Sequence, residues 1–169
     1  FYLALSSMAC GDAEGARQHA VDAYQLAQKL NQPHSVGFSL LANFVIAAQR
    51  DEPAIALQFA QQCVDFSAQF GFPEFICMAR VVRGWASARL GHAPAGLNDL
   101  EAGFAQWQAT GFENWQSWFT CLKVDVLRLL SRHEQAASEI DAQLARIEKN
   151  EESQFKPQLL AAKAALVTG

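Results

Sequence analysis

The sequence predicts an all-α protein, an α-solenoid of helical hairpins that repeat every forty residues. Three observations predict it. Four segments, AEGARQHAVDAYQLAQKL, PAIALQFAQQCVDFSAQF, PAGLNDLEAGFAQWQAT and EQAASEIDAQLARIEKN, align without gaps at a spacing of 40. Four columns stay in register across them. Ala16, Ala56, Gly96 and Ala136 are always small, and Ala20, Ala60, Leu100 and Ile140 are always apolar. Gly11, Asp51, Gly91 and Ser131 mark a turn before each segment, and Asn31, Gly71, Gly111 and Glu151 mark one after it. The third observation is the period within each unit. Apolar residues recur at i, i+3, i+4 and i+7 as on an amphipathic helix, and no window alternates as a strand would.

Each element follows from these signals. Residues 1–10 (FYLALSSMAC) form an apolar first helix that Gly11 ends, a better reading than a leader with Cys10 at a lipid-attachment spot. Helix 13–30 carries Ala16 and Ala20 and stops at Asn31. Helices 34–50, 53–70, 73–90 and 94–110 have Pro33, Pro53, Pro73 and Pro94 at their first turns, where a missing N–H costs nothing. Gly71, Gly91 and Gly111 stand where helices end in a left-handed residue. In helix 73–90 the apolar positions are Phe75, Met78, Ala79, Val82, Trp85 and Ala86; in helix 94–110 they are Leu97, Leu100, Phe104 and Trp107. The same period gives helices 113–131, 133–149 and 152–167. The chain thus reads as one repeat domain over residues 1–169, of about nine helices. Its hairpins are 1–30, 33–70, 73–110 and 113–150, with a final helix 152–167. A lone amphipathic hairpin cannot bury its face, so neighbouring pairs stack. The small column marks the closest approach within a hairpin, where a larger side chain would overpack.

Composition agrees and excludes several classes. With 51% hydrophobic and 18% charged residues, the 169-residue chain is neither disordered nor collagenous. A net charge of −4 with no basic segment argues against direct nucleic-acid binding. The longest apolar run, Leu40 to Ala48, is interrupted by Asn43 and falls far short of the ~20 residues that span a bilayer. The chain opens on Phe1 inside a hairpin, which reads as a piece of a longer protein.

Catalytic signatures are missing from the sequence. There is no phosphate-cradling GxxxxGK[ST], and no HExxH, GxSxG or GxGxxG. His19, His34, His92 and His133 lie far apart and mostly at turns or helix starts. Cys10, Cys63, Cys77 and Cys121 lack CxxC spacing and sit among apolar residues as small hydrophobes, pointing to a reducing, cytoplasmic compartment. Asp51–Glu52 and Glu151–Glu152 read as helix-start charges, and with Asp99–Glu101 they fall on separate hairpins. No cofactor or metal is expected.

The third unit, RGWASARLGHAPAGLNDLEAGFAQW, resembles a tetratricopeptide repeat, with Gly84, Gly91, Gly96 and Gly103 at that motif's small positions. Phe44 and Val124 depart from it, and the period exceeds the usual ~34 residues. GFP at 71–73, RGWA at 83–86 and WQATG at 107–111 look like the C-terminal repeats of bacterial ATPase-containing signalling proteins. NQPHSVGFSLLANFVIAAQRD looks like the preceding repeat of those proteins. In that group the repeats follow a class III adenylate/guanylate cyclase, DNA-binding or kinase domain and an ATPase module. The resemblance implies a right-handed solenoid whose first helices line a concave surface. Placing Gly84 at the motif's first small position puts Met78, Val81, Trp85 and Arg89 on that surface. The neighbouring units add Phe38, Leu41, Val45 and Gln49 on one side, and Trp118, Cys121, Asp125 and Arg128 on the other.

The expectation is a non-catalytic module for protein–protein or intramolecular regulatory contacts in a multidomain bacterial signalling protein. Its partner would be a protein or peptide, including ATPase or effector domains of its own chain. The alternative is a small-molecule inducer-sensing domain of an ATPase-linked transcription regulator, favoured if the concavity encloses a pocket. Homodimerisation through exposed ends of the array is a further possibility. Trp107, on a second helix, is expected to pack between hairpins rather than bind.

Overall fold

The computed structural model describes residues 1–150 and 154–167. They form the helices α1 (Tyr2–Ala9), α2 (Ala13–Leu30), α3 (Pro33–Gln49), α4 (Pro53–Phe70), α5 (Pro73–Ser87), α6 (Ala93–Ala109), α7 (Gln116–Leu129), α8 (His133–Asn150) and α9 (Lys156–Val167). No strand occurs among the described residues. α5 and α6 are joined without a gap by a π-helical turn, Ala88–His92, so the helices count as eight rather than the nine expected. The chain still reverses there, because Gly91 takes φ 101° inside the turn.

The forty-residue period is written into the backbone. Gly11, Asp51, Gly91 and Ser131 all have positive φ, and so do Asn31, Gly71 and Gly111. Each is a left-handed residue that ends one helix, and the next starts two residues later in every case but Gly111. Glu151, the last member of the second column, lies outside the described residues, as does the Glu151–Glu152 pair and the expected start of the final helix at 152. Pro33, Pro53 and Pro73 are first residues of their helices. One start is displaced: α7 begins at Gln116 rather than 113. Trp115 adopts φ 68° there, its ring packed 5.5 Å from Trp118. The Asn114 carbonyl accepts a 2.9 Å bond from Trp107 Nε1, and Gln116 Nε2 donates to the Phe112 carbonyl, which holds this stretch as a turn.

Every helix packs on its chain neighbours, and α1, α3, α5, α7 and α9 also touch in succession. The backbones of the even-numbered helices stay farther apart, with Tyr24 of α2 reaching Phe59 of α4 edge to face at 6.3 Å. The odd-numbered row is therefore the interior. α3 shows this most fully: Val36, Gly37 and Ser39–Ala48 are all buried, as befits a helix with partners on every side. The small column is buried throughout, with Ala16, Ala56 and Ala136 at 0% exposure. The closest approach lies between α5 and α6. A Cβ on Gly84 would stand 2.4 Å from the Gly96 carbonyl oxygen, and a Cβ on Gly96 would stand 2.4 Å from that of Gly84.

Candidate functional site

Polar side chains at matching positions tie the two rows together. Asn43, Arg83 and Lys123 are forty residues apart and project from α3, α5 and α7 between even-numbered helices. Asn43 Nδ2 donates to the carbonyls of Ala20 on α2 and Ser39. Arg83 makes two bonds to Asp99 on α6 (2.7 and 3.0 Å) and one to Gln61 on α4. Lys123 bridges Glu101 on α6 (3.1 Å) and Glu139 on α8 (2.6 Å). Burial opposes the Lys123 charge, but these two carboxylates outweigh it and hold its pKa above the ordinary lysine value. Burial likewise opposes ionisation of Asp99, while Arg83 and Arg80 outweigh it and hold the carboxyl below its usual range. Sequence reading missed this column. Its signal was a single polar residue breaking each apolar run, visible once the units are stacked in register.

The residues expected on the inner surface take different places. Val45 and Val81 are wholly buried. Phe38, Leu41 and Met78 face a small cavity of about 180 Å³ that Phe1 and Trp115 close. Phe1 stands 5.1 Å from Phe38 and 6.0 Å from Trp115 between ring centres, so α1 meets the α7 end across the inner row. An open groove along the whole row is thereby narrowed. Leu41, Val45, Met78, Val81 and Trp85 are core residues, because α1 and the adjacent odd-numbered helices cover them. Arg128 is exposed and out of register, since the position forty after Arg89 is Leu129.

Trp85, Arg89 and Asp125 do come together. Trp85 is 2% exposed, and its Nε1 donates to Asp125 Oδ2 at 2.9 Å, a bond between positions forty residues apart. Arg89 donates to the same carboxylate oxygen at 3.1 Å and grips Asp51 with two bonds of 2.6 and 3.0 Å. Its guanidinium also lies 5.4 Å from the Trp85 ring centre, within cation–π range. The Asp51 hydrogen bond is the main reason the Arg89 pKa lies above its ordinary value, with Asp125 adding to it. This cluster fastens α5 to α7 and to the turn after α3. Trp107 is buried on α6 and packs 5.8 Å from Phe119, a structural role.

Gln49 and Trp118, with Cys121, line an accessible cleft of about 430 Å³, framed also by Leu5 and Met8 of α1 and by Phe155 beside α9. The volume is that of a small-ligand or side-chain pocket. Its polar groups are the amides of Gln49, Gln154 and Gln158, and none of its lining side chains is charged. The cleft joins the first and last described helices, α1 and α9, which the forty-residue alignment alone could not bring together.

The thiols are all free. Burial pushes Cys63 and Cys121 up to about 12, and burial raises Cys77, whose Sγ donates to the Pro73 carbonyl. A maleimide at neutral pH is therefore expected to label Cys10 fast and Cys63 and Cys77 only on unfolding, with Cys121 slow because its thiolate is scarce. Mass spectrometry of the time course checks this, and labelling of Cys121 at the rate of Cys10 would contradict it. His34 meets Phe72 edge to face and Phe75 at a tilt, and His92 and His133 are exposed. No group of three metal-ligating side chains converges among the described residues. No helix among them is long and apolar enough to cross a membrane. No family model, curated protein or solved structure matches the chain.

Proposed function

We propose that the chain is a non-catalytic binding module, a right-handed solenoid of tetratricopeptide-like hairpins that takes a peptide segment in its inner cleft. The succession of backbone contacts along the odd-numbered row, from α1 through α3, α5 and α7 to α9, supports the stacked arrangement. The observation that carries the binding reading is the cleft between α1, α3, α7 and α9. Its floor is aromatic and sulfur-bearing (Trp118, Phe155, Met8), and glutamine amides edge it. An apolar anchor suits that floor, and amides can donate to and accept from a peptide backbone. In the cell, the module would work in the cytoplasm as a regulatory part of a bacterial signalling protein. It would engage another protein or the ATPase and effector domains of its own chain. High thiol pKa values favour a structural over a nucleophilic role for Cys63 and Cys121.

The cleft's limited volume favours a second reading, a small uncharged inducer. Titrations with short apolar peptides and with uncharged small molecules, followed by tryptophan fluorescence, separate the two. Peptide binding that Met8→Arg weakens by about tenfold or more supports the module reading. Saturable binding of small molecules alone, lost in the same variant, favours the inducer. Peptide binding unchanged in Met8→Arg would overturn the cleft assignment. Sedimentation of the free chain reports whether its ends, with exposed Tyr2 and Leu3 on α1, also self-associate.

A further inference from the structure

Among the described residues, the fourth hairpin buries Gln116, Ser117, Thr120 and Gln143, whereas the second buries Ser39, Asn43 and Ser67 and the third buries no polar side chain. Gln116, Ser117 and Thr120 on α7 are all at most 2% exposed. The corresponding residues are Val36, Gly37 and Leu40 on α3, and Ile76, Cys77 and Arg80 on α5. Facing them from α8, Gln143 is 6% exposed where earlier units have Ala23, Cys63 and Gly103. Gln143 Nε2 donates to Ser117 Oγ at 3.2 Å, and Thr120 Oγ1 donates to the Gln116 carbonyl. Burying amides and hydroxyls at positions that earlier units fill with Val36, Gly37, Leu40, Ile76 and Cys77 costs stability even when they are paired. Local departures of this kind mark functional positions.

Above this floor lies a cavity of about 430 Å³ between α6, α7 and α8, on the opposite side of α7 from the inner cleft. Thr120 and Gln143 form its base, and Lys123, Arg146, Glu101 and Glu139 stand around it. The charges balance, two cations against two carboxylates. Lys123 is saturated by Glu101 and Glu139. Arg146 is engaged less closely, at 3.5 Å from the exposed Glu113. A ligand carboxylate could take that guanidinium in Glu113's place, a charge-assisted bond. A ligand ammonium would share Glu139 with Lys123, taking its second carboxylate oxygen because Lys123 holds Oε1, with the Gln143 amide between the two ligand ends. From this arrangement we propose that the cavity is a second binding site, independent of the inner cleft, for a free amino acid or a similarly small zwitterion.

The test uses the whole chain and the common amino acids at millimolar concentration, with their methyl esters and N-acetyl derivatives, read by thermal shift and calorimetry. The expected result is saturable binding of at least one amino acid, lost when either charged end is blocked. Arg146→Gln should raise its Kd by about tenfold or more, the scale of one charge-assisted hydrogen bond. Gln143→Leu should weaken binding while keeping or raising the melting temperature of the free protein, since it replaces a buried amide. Gln49→Glu, in the inner cleft, should leave this binding intact. Binding of no amino acid, equal binding of blocked derivatives, or loss through Gln49→Glu with none through Arg146→Gln would each overturn the proposal.

Discussion

Trp85→Ala is expected to destabilise the fold by about 4 kcal/mol, the usual scale for removing a fully buried large aromatic side chain. The indole is enclosed between α5 and α7, and its N–H has a buried-side partner in Asp125. Truncation leaves a cavity in the inner row and removes one of the two donors that hold the Asp125 carboxylate. Trp85→Phe keeps most of the packing and loses the N–H, so it should cost only about 1–2 kcal/mol. Urea unfolding of both variants, with Asp125→Ala and the Trp85→Phe/Asp125→Ala double variant, separates ring from hydrogen bond. A coupling near zero between Trp85 and Asp125 would mean that their bond adds nothing to the fold.

Gly84→Ala should destabilise by about 2–3 kcal/mol, although alanine gains roughly 1 kcal/mol in helix propensity. The new methyl would meet three atoms of α6 between 2.4 and 2.8 Å, two of them backbone, so no rotamer change relieves it. The helices must separate. Gly96→Ala should act through the same contact, and the double variant should cost less than the sum because one separation accommodates both methyls. Gly11→Asn provides the contrast. Gly11 is left-handed at φ +84° with nothing near its Cβ direction, and Asn31 already occupies the matching conformation in the second turn column. That change should stay within about 1 kcal/mol in the same denaturation experiment. If Gly84→Ala were as mild as Gly11→Asn, the close approach of α5 and α6 would not limit stability.

Much of the helix pattern was legible because turns and close contacts are local demands. A left-handed residue suits Gly, Asn, Asp or Ser, so Gly11, Asn31, Asp51 and Gly71 announced themselves in register. Ala16, Ala56 and Gly96 did the same for hairpin contacts. Two local features escaped. At Ala88–His92 the two helices α5 and α6 follow each other without an intervening loop, and the reversal is taken up at Gly91 alone, whose φ of 101° is non-helical. The start of α7 shifted to Gln116 because Trp107 and Trp118 hold the preceding turn from two different helices, which no local propensity encodes.

The candidate site was legible only in part. Spacing put Gln49, Trp118 and Cys121 on one side of their helices, and the cleft does contain them. It also put Val45, Val81 and Trp85 there, and they are core. The difference is which residues neighbouring odd-numbered helices cover, together with the way Arg89 draws Asp51 and Asp125 together. The polar column of Asn43, Arg83 and Lys123 was present in the sequence but became meaningful only as three bridges between helices.

By itself, then, the sequence determined the helical class, the forty-residue period and the residues at which the chain turns, because backbone sterics and amphipathic spacing act within a few residues. Only the tertiary structure decided which inner residues are covered, where α1 meets α7 and α9, and which hairpin opens onto a polar cavity. Those outcomes arise from contacts between helices that are not neighbours in the chain, and from ion pairs between side chains 16 to 38 positions apart.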